Sequence, residues 1–162
     1  FECEDADMWN KAVKRDADLY NGDVVEMFID PYGTGRHYLE IEISPTNTVL
    51  DLLIIKPELL SEKTISIFSR YDARTIKSAV KVKGTVNSTG DKDIGWSAEA
   101  TIPWIEFGGY KIDMPPKNGD TLRIQLFRME WSASGNPLFL SWSKSPNAFH
   151  EPSNFGIVTF RE

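Results

Sequence analysis

The sequence is poor in the residues that build metal and redox centres, with one cysteine, Cys3, and two histidines, His37 and His150. A single thiol excludes an internal disulfide and any cysteine-built zinc site. Long apolar runs are missing too, and the stretch Leu50–Ile55 is far too short to span a bilayer. Positive charge is scarce: 18 Lys and Arg stand against 24 Asp and Glu, a net charge of −6. Nucleic acid and anionic membrane surfaces need a basic footprint, so neither is an expected partner. A neutral glycan meets no such barrier. There are no internal repeats, low-complexity tracts or linker, and 162 residues are read as one domain. No initiator methionine or signal segment precedes Phe1-Glu2-Cys3-Glu4, which alternates as if inside a strand. The chain is therefore read as N-terminally clipped, and the missing leader carries no weight on compartment.

What the sequence does have is alternation with period two. Val24–Asp30 reads as a strand closed by the turn cluster Pro31-Tyr32-Gly33-Thr34-Gly35. His37–Ser44 follows, with Leu39, Ile41 and Ile43 on one face and Tyr38, Glu40 and Glu42 on the other. The short link predicts an antiparallel hairpin. Thr48–Ile55, Thr75–Val82, Ile94–Ile102, Thr121–Met129, Leu138–Trp142 and Phe155–Phe160 read as further strands, fenced by Gly, Pro, Asn or Asp. About eight strands without an amphipathic helix predict an all-β fold, an antiparallel sandwich of jelly-roll or immunoglobulin-like type. Asp5–Asn21 reads as a loop with one helical turn, and Pro57–Ala73 as a segment holding a short helix around Leu59–Lys63.

If Leu39, Ile41 and Ile43 point into the core, Glu40 and Glu42 leave the opposite face. Val25, Met27 and Ile29 take the inward role in the preceding strand, which sends Glu26 outward with them. Tyr38, Glu26, Glu40 and Glu42 are thus expected on the solvent side of one sheet. Sugars offer C–H faces that pack on flat rings and hydroxyls that need polar partners. Aromatic residues make up 12% of the chain, and Tyr20 and Phe149 fall in loops beside strands, where they can supply such rings. Arg128 sits in phase with Leu122, Ile124 and Leu126, which implies a bulge or a partly polar interior. A guanidinium lets clustered carboxylates stay ionised, so Arg128 is expected to pair with Glu40 or Glu42. Trp96, Trp104 and Trp142 occupy strand-like positions and are assigned to the core.

Four segments carry a resemblance. Asp23-Val24-Val25-Glu26-Met27-Phe28-Ile29-Asp30-Pro31 resembles a "D-x-V-E-x-F-I-D" strand, and Tyr38–Asp51 is similar to "Y-x-E-x-E-x-N-P…G-T-V-x-D". Trp96–Trp104 is similar to "W-x-x-E-x-x-I-P-W", and Ser141–Gly156 to "S-W-S…F-H-x-P-x-x-F-G". In this order they resemble the family 9 carbohydrate-binding modules, among the DOMON-like β-sandwiches. The resemblance implies a non-catalytic module that clamps a sugar between two rings, matched here by Tyr20 and Phe149. It implies that Glu26 contacts hydroxyls. The arginine and asparagine expected on the next strand are replaced by Glu40 and Glu42. His150 lies inside the last matched motif and joins the expected site with Tyr38 and Arg128. The family's opening "D-G-x-x-D-E-x-x-W" strands are not found. Structural calcium, drawing on an acidic run such as Asp5–Asp18, is implied by family habit, although no complete ligand set is readable. So are a monomeric state, an associated glycoside hydrolase, and a secreted, periplasmic or cell-surface setting.

Two other functions compete. Leu39-Glu40-Ile41-Glu42-Ile43 is faintly similar to the "E-x-D-x-x-E" strand of jelly-roll glucanases, and paired carboxylates can hydrolyse a glycosidic bond. The third acid is missing, since residue 44 is serine. Haem binding, known among DOMON-like domains, needs an axial His or Met beside an apolar slot. The pattern of His37, His150, Met8, Met27, Met114 and Met129 suggests no axial pair.

Overall fold

The computed structural model describes residues 1–55, 71–107, 115–131, 135–146 and 149–162, together with the backbone of 66–68. The expected helix around Leu59–Lys63, and Met114, lie outside the described residues.

Among the described residues there are ten strands: β1 (Glu2–Glu4), β2 (Val24–Asp30), β3 (His37–Ile43), β4 (Val49–Ile55), β5 (Ser66–Phe68), β6 (Lys77–Lys83), β7 (Gly95–Thr101), β8 (Thr121–Trp131), β9 (Pro137–Ser141) and β10 (Gly156–Thr159). They form two antiparallel sheets. The smaller runs β1-β7-β6; the larger runs β10-β8-β2-β3-β4-β5, with β9 also pairing to β8. The predicted strands are all present within a few residues. β5 was not anticipated, being three residues long in a segment without alternation. Asp5–Asn21 is irregular apart from a single 3-10 turn at Leu19–Asn21.

The alternation of β2 and β3 does what period two requires. Val25, Ile29, Leu39, Ile41 and Ile43 face the small sheet and pack with Cys3, Trp96 and Ala98. Burying such side chains contributes about 1.5–3 kcal/mol each, enough to fix the register. The second face departs from expectation. Val24, Phe28, Tyr38, Leu50, Leu52, Ile54 and Phe127 form another apolar cluster, roofed by Leu19 and Phe155 with Phe149 packed against it. The middle of the large sheet is therefore covered on both sides, and β3 is buried at every position after His37. Glu26, Glu40 and Glu42 are 2%, 5% and 1% exposed, so the expected solvent side is in fact an interior one.

Two features hold the roof in place. Asp23 accepts hydrogen bonds from the Trp9 N–H at 2.5 Å and the Trp131 N–H at 2.6 Å. The Asn10 side-chain amide donates to the carbonyls of Leu19 and Asp23. Together they tie the 5–22 segment to the ends of β2 and β8, with Tyr20 carried on its turn.

Candidate functional site

β2 and β3 place three carboxyl groups on one sheet face by register alone. Glu26 lies directly opposite Glu42, and Phe28 opposite Glu40. β4 sets Leu52 across from Glu40, while β8 sets Phe127 across from Glu26. These carboxyls form the floor of a cavity of about 550 Å³. Tyr20 lines it from the 3-10 turn, Phe149 and His150 from the loop before β10, and Phe139 from β9. Tyr20, Glu26, Glu40, Glu42, Phe149 and His150, six of the residues picked from sequence, thus meet at one place.

Phe149 is held firmly. Its ring stacks on Phe127 with centroids 3.9 Å apart and planes 11° off parallel, and Phe139 meets it edge-on at 5.6 Å. Tyr20 is freer, at 41% exposure, with its backbone carbonyl accepting from the Trp131 indole N–H at 3.1 Å.

The other two picked residues fall elsewhere. Tyr38 is fully buried behind the cavity wall, stacked near Phe28 and hydrogen-bonded from its hydroxyl to His150 Nδ1 at 2.7 Å. It positions His150, whose Nε2 lies 3.9 Å from Glu40 Oε2. Tyr38→Phe is expected to cost about 1 kcal/mol or less by the loss of that bond. It should also loosen the His150 ring, visible as an altered His150 titration by NMR; an unchanged titration would deny the positioning role.

Arg128 corrects a second expectation. It pairs with Val25 across the ladder, on the face between the two sheets, and the β2–β8 register runs unbroken from Asp30 to Val24, so no bulge is present there. Its guanidinium donates to the Glu4 carbonyl at 2.8 Å and Asp5 Oδ2 at 3.2 Å, and pairs with Glu130 at 3.1 Å. The cavity carboxyls receive nothing from it. Among the described residues, no lysine or arginine lines the cavity.

The electrostatics follow. Burial, then the charge of Glu40, holds Glu26 well above the ordinary carboxyl range. Burial pushes Glu40 up to about 7 against the opposing effect of a hydrogen bond with Glu42. Glu42 is pushed up to about 10 by burial, and then by the charges of Glu26 and Glu40. Like charges in a dry pocket favour the protonated forms, which donate as well as accept hydrogen bonds. Glu40 Oε2 and Glu42 Oε2 are buried and have no hydrogen-bond partner in the protein. Such atoms are costly unless something else satisfies them.

Sequence reasoning missed Leu52, Met129, Phe139, Ser145 and Pro146, all of which line the cavity. Met129 was within reach, because alternation sets it on the face opposite Arg128. Phe139 follows from its pairing with Met129, which no local pattern announces. Met129 and His150 share the cavity with the three carboxyls of its floor. His37 instead packs edge-on to Tyr32, 5.2 Å away. Trp96 is core, as expected. Trp104 is 36% exposed against Phe107 and Phe160, and Trp142 is 57% exposed, so these two are not core residues. Trp142 lies across Gly156, where an added Cβ would meet the indole at 2.4 Å. Among the described residues, no three His, Cys, Asp or Glu side chains group to hold a metal ion, and Asp5 is committed to Arg128.

No protein-family model matches the sequence, and no curated protein is similar to it. Solved structures are. A candidate carbohydrate-binding protein from Bacteroides uniformis aligns over 99% of this chain and 71% of its own, at 19% identity and a TM-score of 0.72. A family 9 carbohydrate-binding module from Caldicellulosiruptor kristjanssonii in complex with cellotriose aligns over 99% of this chain at 16% identity, TM-score 0.63. A family 9 module from the same organism in complex with glucose aligns over 98% at 18% identity, TM-score 0.61. This chain spans 66% of the length of each of those modules. At these identities the likeness establishes architecture: the chain has the antiparallel β-sandwich fold seen in family 9 carbohydrate-binding modules.

Proposed function

We propose that the cavity binds the sugar units of an oligo- or polysaccharide without cleaving them, Tyr20 and Phe149 gripping the ring and the carboxyls taking its hydroxyls. One observation carries the reading. Flat aromatic surface stands beside two buried carboxyl oxygens that have no hydrogen-bond partner in the protein. A sugar satisfies both needs at once, since its C–H face packs on a ring while its hydroxyls reach the polar floor. The fold shared with modules solved with cellotriose and glucose supports the same ligand class. In that setting the domain would act outside the cytoplasm, anchoring a glycoside hydrolase to its polysaccharide.

Isothermal titration with cellotriose and a panel of xylan- and glucan-derived oligosaccharides tests this. Saturable one-to-one binding of at least one sugar is expected. Silence across the panel would remove the proposal.

A second reading, glycosidic hydrolysis, draws on one specific observation: carboxyls held protonated near neutral pH are the material of a general acid. Release of reducing sugar that disappears in Glu40→Gln would install it in place of the first.

A further inference from the structure

We propose that the cavity selects sugars carrying a free amine, of the glucosamine type, over neutral sugars of the same size; this rests on the carbohydrate reading above. Glu26, Glu40 and Glu42 converge on one sheet face through the β2–β3 register, with Glu26 directly opposite Glu42. Among the described residues no lysine or arginine shares that cavity, and the nearby guanidinium of Arg128 is spent on Asp5 and Glu130 across the sheet. Among the described residues the protein therefore gathers three acids without a lysine or arginine, and the His150 imidazole, its Nε2 3.9 Å from Glu40 Oε2, is the one titratable base at their side.

The acids are also incompletely satisfied. Glu40 and Glu42 are 5% and 1% exposed, line the cavity, and each holds a buried Oε2 without a hydrogen-bond partner. A neutral hydroxyl can donate one hydrogen bond to such an oxygen. An ammonium donates three and brings the missing charge, which allows buried carboxyls to ionise. A lone metal ion is a poorer occupant, because the described His, Cys, Asp and Glu side chains form no group able to hold one. The rings of Tyr20 and Phe149 supply the apolar face that a simple amine would leave unused.

The test is titration calorimetry at about pH 6, where a sugar amine is charged, with three trisaccharides: fully deacetylated glucosamine trimer, its N-acetylated counterpart and cellotriose. The glucosamine trimer is expected to bind at least about tenfold more tightly than cellotriose, close to 1.4 kcal/mol. The N-acetylated trimer should not share that gain, which separates charge from bulk. In Glu42→Gln the preference, read as the ratio of the two affinities, should shrink to within about threefold, since the amide keeps an acceptor but cannot ionise when the amine arrives. Equal affinity for the amine and neutral trimers, or a preference untouched by the substitution, overturns the inference and leaves the carbohydrate reading standing. If none of the three sugars binds, the inference falls, and the wider oligosaccharide panel decides the carbohydrate reading separately.

Discussion

Glu42→Gln is expected to raise the melting temperature of the free protein at pH 7 by roughly 5–10 °C, an unusual direction for a buried substitution. The reason lies in proton linkage. The Glu42 carboxyl is pushed up to about 10 in the folded chain, first by burial and then by Glu26 and Glu40, from an ordinary value of 4.5. Below that ordinary value both folded and unfolded chains hold the proton, and no penalty arises. As pH rises past it the unfolded chain ionises while the folded chain keeps its proton, so stability falls steadily until the folded value is reached. At pH 7 the penalty is set by the interval from 4.5 upward and amounts to roughly 3 kcal/mol. Glutamine has no proton to lose and escapes it. The wild-type and variant melting curves should therefore converge near pH 4.5 and separate as pH rises, as read by differential scanning calorimetry. A gap that stays constant with pH would mean that Glu42 ionises normally, and the acidic floor would lose its physical basis. Natural chains retain such a cost where function needs the group.

Phe149→Ala should weaken sugar binding by about thirtyfold, equivalent to roughly 2 kcal/mol, and Tyr20→Ala by somewhat less. Phe149 is the stronger half because its ring is already immobilised, stacked on Phe127 and braced by Phe139, so little entropy is lost when a sugar arrives. Tyr20 is 41% exposed and must be ordered on binding. The double variant should bind too weakly to measure. Calorimetric affinity, read beside the melting temperature of each variant, separates lost contact from lost fold. Full affinity in both single variants would place the ligand elsewhere on the molecule.

Much of this site was readable before any coordinates because strand alternation is a local rule. Val24–Asp30 and His37–Ile43 sort their side chains by period two, and Glu26, Glu40 and Glu42 fall on one face as a result. What alternation cannot report is what covers that face. The roof is made of Leu19, Phe149 and Phe155, which come from a 3-10 turn and loops with no periodicity. Carboxyls under it look solvated in sequence and are interior in space. Arg128 fails for a related reason. Its phase placed it with Leu126, away from the glutamates, and its true partner Asp5 lies 123 residues away in an irregular segment. Charge complementarity favoured the wrong acids; geometry decides against them. Trp142 shows the limit of reading large aromatics as core, because it directly follows β9, an outer strand whose side chains stay exposed after Pro137, and is itself 57% exposed.

The whole account depends on a ligand seated between the loop rings and the acidic floor. The most direct test is an NMR titration of uniformly labelled protein with cellotriose and with glucosamine trimer. Backbone amide shifts should concentrate at Tyr20, Glu26, Glu40, Glu42, Phe149 and His150, while Lys77–Lys83 on the small sheet stay still. Shifts gathered instead around Lys81, Lys83 and Ile94, which line a separate cleft of about 520 Å³ beside β1 and β7, would contradict it.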